Sequence, residues 1–154
     1  MRPSCASGFS KPASSAPRPE LAGIDLSVRD GELAVVRLEG GTPAPDWARP
    51  GAAGIVAVTR TAAETSVVCD AASVPEGVRV SPGWRALVVA GALDHSLTGI
   101  LASLAVPLAA AGVPIFALST FDTDYVLVPA GRLGDATEAL RAAGHRIAGA
   151  GAAG

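Results

Sequence analysis

Side chains able to do chemistry gather in two stretches of this chain. The first is Leu93-Asp94-His95-Ser96-Leu97-Thr98-Gly99-Ile100, a polar run that leads into an apolar segment with helical spacing. The second is Ser119-Thr120-Phe121-Asp122-Thr123-Asp124. A polar run opening a helix offers the free N–H groups of the first turn, whose partial positive charge holds a carboxylate without any basic side chain. Gly99 lets a ligand approach the backbone, while Ser96 and Thr98 either cap the helix, their commoner use, or donate to the ligand. Asp94, Asp122 and Asp124, with Glu64 at the matching place earlier in the chain, suit an ammonium or guanidinium group through charge-assisted hydrogen bonds. The plainer reading is that Asp122 and Asp124 only shape a tight turn between strands. The chemistry these residues point to is recognition of a zwitterion, a cationic amino acid in the sharper version.

Other chemistries find no constellation. His95 beside Asp94 is neither a triad nor a metal site, which needs three or four convergent ligands, and reads as a solvent-facing loop histidine. His145, just after Gly144, reads as a strand-edge residue. Ser66, Ser119 and Thr120 are accompanied by no GxSxG elbow and no phosphate-cradling glycine loop. Cys5 and Cys69 have no CxxC spacing, so neither a disulfide framework nor a zinc site is expected, Cys69 reads as a buried strand residue, and a reducing cytoplasm is the default location. Trp47 and Trp84 read as packing anchors. We therefore expect no catalytic centre, no metal and no cofactor. Lys plus Arg number 12 against 14 Asp plus Glu, a formal charge of −2 that provides no pull toward nucleic acid or an anionic membrane. No apolar run has the length of a signal peptide core or a membrane span.

The elements that must position these residues follow from periodicity. The Pro-, Ser- and Ala-rich residues 1–20 are expected to be an irregular extension and 149–154 a flexible tail. Ile24, Leu26 and Val28 alternate, Asp30-Gly31 supplies a turn dipeptide, and Leu33 and Val35 alternate again, which predicts a β-hairpin. Three prolines (Pro43, Pro45, Pro50) leave room for one short turn near Asp46 to Ala48 before strands at Ile55 to Thr59 and Glu64 to Cys69. The first half thus lacks a full amphipathic helix. In the second half Trp84 to Ala90 is a buried strand, and Leu97, Ile100, Leu101, Leu104, Leu108 and Ala111 mark a helix closed by Gly112. Pro107 deprives the Ser103 carbonyl of its partner and predicts a kink or an offset last turn. Strands at Val113 to Leu118 and Thr123 to Val128, a helix through Leu133, Ala136, Leu140 and Ala143 closed by Gly144, and a strand at His145 to Ala148 complete the order β-α-β-β-α-β. The segment IVAVTRTAAETSVVCD from Ile55 echoes IFALSTFDTDYVLVP from Ile115, the mark of a duplicated unit.

The run GALDHSLTGILASLAVPLAAAGVPIFALSTFDTDYVLV resembles the strand, loop, helix and following strands of an ACT domain. More narrowly, RTAAETSVVC (Arg60 to Cys69), LTGILASL (Leu97 to Leu104) and STFDTDYVLV (Ser119 to Val128) resemble small bacterial tandem-ACT proteins related to the CASTOR arginine sensors, and the regulatory units of aspartate kinases. The resemblance implies an α+β fold of two ferredoxin-like (βαββαβ) ACT units, 21–82 with reduced helices and 83–148 complete. It further implies a non-catalytic sensor that binds an amino acid between the units. The alternative is a ligand-independent module for oligomerisation or for docking on an unidentified protein partner.

Overall fold

The computed structural model describes residues 23–91 and 98–149. The extension expected at 1–20 and residues 150–154 of the expected tail lie outside the described residues. The elements are β1 (Asp25–Val28), β2 (Leu33–Glu39), β3 (Ala57–Arg60), β4 (Glu64–Asp70), β5 (Arg79–Val89), α1 (Ile100–Ala110), β6 (Phe116–Ser119), β7 (Asp124–Pro129), α2 (Leu133–Ala142) and β8 (Arg146–Ala148). The eight strands form one sheet in the order β3-β4-β2-β5-β1-β8, with β7 on the other edge of β5 and β6 beyond it.

The Asp30-Gly31 dipeptide does not close a hairpin. β1 and β2 both run antiparallel to the same strand: Leu26 faces Val89 and Val28 faces Leu87, then Leu33 faces Trp84 and Val36 faces Val80. The Arg29 N–H donates to the Ala86 carbonyl at 2.9 Å, so the pairing carries on into the bend. Asp-Gly is therefore a bend in one long partner of β5, with Gly31 at φ +79°. The dipeptide signals a tight turn locally; the eleven-residue β5, with bonding groups enough for both segments, decides that the chain runs on along it.

The second half has the expected β-α-β-β-α-β order, and its two helices end in the same way. Val113 N–H donates to Leu108 O at 2.9 Å and Gly112 N–H to Ala109 O at 3.0 Å; His145 N–H donates to Leu140 O at 3.0 Å and Gly144 N–H to Arg141 O at 3.0 Å. Each is a Schellman motif whose glycine takes the left-handed conformation. In the first half only three-residue 3-10 turns, Gly51–Ala53 and Ala71–Ser73, stand where an ACT unit has helices. Pro43, Pro45 and Pro50 remove the donors a helix there would need.

His145 directly precedes the edge strand β8, and its ring is buried. It is 5% exposed, its Nδ1 accepts the Ile24 N–H at 3.3 Å, and its Nε2 lies 3.1 Å from the Ser103 carbonyl. That carbonyl is the one Pro107 leaves unpaired, so α1 runs unbroken through its proline because an imidazole replaces the missing donor.

Packing follows the alternation along each strand. Leu26, Leu87, Leu104, Leu108, Val126 and Leu140 form the core between the second half of the sheet and its helices. Leu104 and Leu108 are fully buried, each contributing about 1.5–3 kcal/mol. Val36, Val67 and Cys69 pack under Trp47, Ala48 and Val74 in the first half. A third cluster spans both halves: Leu33, Val68, Ala86 and Leu127, with Trp84 and Phe116 meeting edge to face at 6.4 Å.

Candidate functional site

β5 and β6 run parallel, each antiparallel to β7 between them, so their carboxyl ends lie at the same end of the sheet. β5 leads there into the segment before α1, and β6 into the turn before β7. Of the first candidate stretch, Asp94, His95, Ser96 and Leu97 lie outside the described residues. Thr98 and Gly99 are exposed, and Gly99 is the N-cap of α1 at φ +82°. Among the described residues no side chain caps this helix, so Thr98 does not take the capping use expected of it, and the first N–H groups of α1 have no side-chain acceptor among those residues. Ile100 is a core residue at 7% exposure, leaving only its backbone to face the site.

The second stretch is a compact turn built by threonines. Thr120 N–H donates to Thr123 O at 2.8 Å, and Thr123 N–H donates back to Thr120 Oγ1 at 3.3 Å. Thr123 Oγ1 donates to Val89 O at 2.8 Å, tying the turn to the end of β5. Ser119 donates its hydroxyl to the Asp124 carboxylate across the hairpin, where the two are register partners. Asp122 is exposed and has no bonding partner among the described residues; Phe121 beside it is 81% exposed. The plainer reading of the acids is thus not what closes the turn: the Thr120–Thr123 backbone bond and the Thr120 hydroxyl do it, the Thr123 hydroxyl ties it to β5, and Asp124 takes a bond from Ser119.

The turn of the β3–β4 hairpin repeats this construction. Thr61 N–H donates to Glu64 O at 2.8 Å, and Glu64 N–H donates to Thr61 Oγ1 at 3.1 Å. Arg60 pairs with Thr65 as Ser119 pairs with Asp124, so Glu64 corresponds to Thr123 and not to an acid. Glu64 is also not brought to the other candidates. It sits beside Arg37, which faces Arg79 at the start of β5, whereas the 119–124 turn adjoins Val88 at its end. At roughly 3.3 Å per residue these two ends of β5 are about 30 Å apart.

Electrostatic perturbations lie away from the turn. The Arg146 guanidinium, bonded to Asp25 across the β1–β8 pair, holds the Asp25 carboxyl below its ordinary value, and Asp25 raises Arg146 in return. Burial pushes the Cys69 thiol up, against a weaker opposing bond from Ser73, which keeps it protonated and unreactive. Sequence reasoning missed His145 as a bridge and Arg79 altogether; the first needed the tertiary position of Ile24, the second a strand where Pro82 and Gly83 hide the alternation. No helix among the described residues is long and apolar enough to cross a membrane.

Comparison with known proteins places this geometry. Residues 79–142 match the family model described as ACT domain, and residues 31–77 match a second model described as an N-terminal domain. The solved structure of protein Atu0741 from Agrobacterium tumefaciens shares 37% identity, covering 82% of this chain and 92% of its own, with a TM-score of 0.76. A Vibrio cholerae protein of unknown function, described as a possible transport protein, has 18% identity over 81% of this chain and 94% of its own, with a TM-score of 0.65. The ligand-free regulatory subunit of aspartate kinase from Thermus thermophilus has 17% identity over 77% and 95%, with a TM-score of 0.54, a likeness of fold. No curated protein matches the chain. The sheet, the helix-poor first half and these matches agree: the chain belongs to the ACT-domain family.

Proposed function

We propose that this protein is a non-catalytic regulatory module of two units, 21–82 and 83–148, that binds an amino acid at the carboxyl end of β5 and β6. What supports the reading is one juxtaposition: β5 leads toward the start of α1 at the end of the sheet where the Thr123 to Val89 bond holds the 119–124 turn, the first N–H groups of α1 have no side-chain acceptor among the described residues, and the Asp122 carboxylate is exposed and unpartnered among them. A helix start takes a carboxylate and an acidic turn takes an ammonium, the two ends of a zwitterion. Asp94 to Gly99 complete the site in this reading, and Asp122 with Asp124 favours a cationic side chain, as the resemblance to arginine sensors also implies. Ligand binding that favours one arrangement of the units by about 1–3 kcal/mol is enough for a switch.

Calorimetry with the twenty amino acids at millimolar concentration tests this. One or more should give saturable heat, and Asp124→Ala should weaken a cationic ligand strongly while changing a neutral one little. Silence across the panel removes the proposal; equal weakening of both ligands removes its charge argument.

A second reading, a constitutive interaction module, is favoured by Leu101 and Val106, which α1 leaves 40% and 67% exposed. Light scattering with and without ligand separates the two, because a constitutive oligomer ignores the metabolite.

A further inference from the structure

The first half of the sheet holds a second candidate site, at the opposite end of β5. β4, β2 and the leading part of β5 place alternate side chains on one face, and register sets Ser66 opposite Arg37 and Arg37 opposite Arg79. Two residues along, Val35 faces Ser81 on the same face. Val35, Arg37, Ser66, Arg79 and Ser81, with Phe116 reaching in from β6 and the Arg37-paired carboxylate of Glu64 at the side, line a cavity of about 260 Å³.

Its walls are an excess of donors against an apolar floor. Guanidinium groups directly opposite on neighbouring strands repel. Arg37 has its own counter-charge, Nε donating to Glu64 Oε2 at 2.7 Å, and a second donor turned to Ala63 O at 3.5 Å. Arg79 has no ion pair and no hydrogen-bond acceptor among the described residues. Ser81 Oγ already accepts the Trp84 Nε1–H at 3.1 Å, so its own O–H is left to donate. The Ser66 hydroxyl likewise has no acceptor among the described residues.

We infer that this cavity binds a small organic carboxylate. The carboxylate takes the fork of Arg79 and the hydroxyls of Ser66 and Ser81, relieving the repulsion between the two arginines, and the apolar part of the ligand lies against Val35 and Phe116. Nothing in this inference depends on the site at the other end of β5.

The test is a titration of the full-length, isotope-labelled chain followed by NMR, with phenylacetate, its neutral amide and inorganic phosphate as probes. Phenylacetate should shift the backbone amides of Val35, Arg37, Ser66 and Ser81 saturably at millimolar concentration, the amide should not, and phosphate, lacking an apolar part, should bind more weakly. Arg79→Gln should cost roughly tenfold or more in affinity without lowering the melting temperature. Asp122→Asn should leave phenylacetate binding unchanged, which keeps this site distinct from the proposed sensor site. Undiminished binding by Arg79→Gln, equal shifts with the amide or with phosphate, or no saturable shift at these residues would overturn the assignment.

Discussion

Replacing His145 with alanine removes two hydrogen bonds from main-chain groups that have no substitute. Pro107 has no N–H to offer the Ser103 carbonyl, and His145 Nε2 stands 3.1 Å from that oxygen. The other ring nitrogen accepts the Ile24 N–H at 3.3 Å, which makes the imidazole the neutral tautomer with its proton on Nε2, a donor toward Ser103. At 5% exposure the ring leaves water no ready route to either partner. Two stranded groups at about 1–3 kcal/mol each amount to a loss of about 2–6 kcal/mol. That is a large share of the 5–15 kcal/mol typical of a domain, as an order of magnitude. Pro107→Ala supplies the missing N–H, so in that background His145→Ala should cost about 1–2 kcal/mol less. Urea unfolding of the wild type, both single variants and the double variant, followed by circular dichroism, measures the difference. If His145→Ala costs the same in both backgrounds within about 0.5 kcal/mol, the imidazole is not the stand-in for the proline's lost donor.

Two further outcomes follow from the geometry. A Cβ at Gly40 would meet the Ala62 carbonyl oxygen and lie 2.9 Å from its carbon, backbone atoms of the β3–β4 turn that cannot swing aside, so Gly40→Ala should destabilise by about 1–3 kcal/mol, and an unchanged melting temperature would contradict this packing. Asp25 has a folded-state pKa lowered mainly by its bond to Arg146, so its contribution is present above the ordinary carboxylate range and is lost as pH falls through the lowered value. Thermal melts of Asp25→Asn should therefore fall slightly short of the wild type at neutral pH, the gap closing in acid and in salt because both partners are exposed; a gap independent of pH would refute the pairing.

How much of this was legible depended on whether a segment's partners were local. α1 and α2, with their Gly112 and Gly144 ends, could be read directly, because apolar spacing and a closing glycine are properties of the helix itself. So could the β6–β7 hairpin and its echo in β3–β4, which share a threonine-built turn. The role of Asp30-Gly31 could not, since a bend and a hairpin use the same dipeptide and only pairing with a distant strand distinguishes them. The leading part of β5 was hidden for a related reason. Pro82 and Gly83 interrupt its pattern, and the structure accommodates them where the register with β2 slips, between the Ser81–Val35 and Trp84–Leu33 pairs. Of the candidate residues, those of the 119–124 turn lie at the end of the sheet where β5 leads toward α1, while Glu64, chosen by a one-residue misalignment of the echo, sits at the other.

The shared strand β5 has a consequence for anyone dividing the molecule. A fragment starting at residue 83 would keep β7 but lose β1, and with it the one strand that β8 pairs with among the described residues. A fragment ending there would strand β2 beside a stub. Neither piece inherits a closed edge, so the chain should melt as one body, and truncation is a poorer tool than point substitution for assigning work to either lobe.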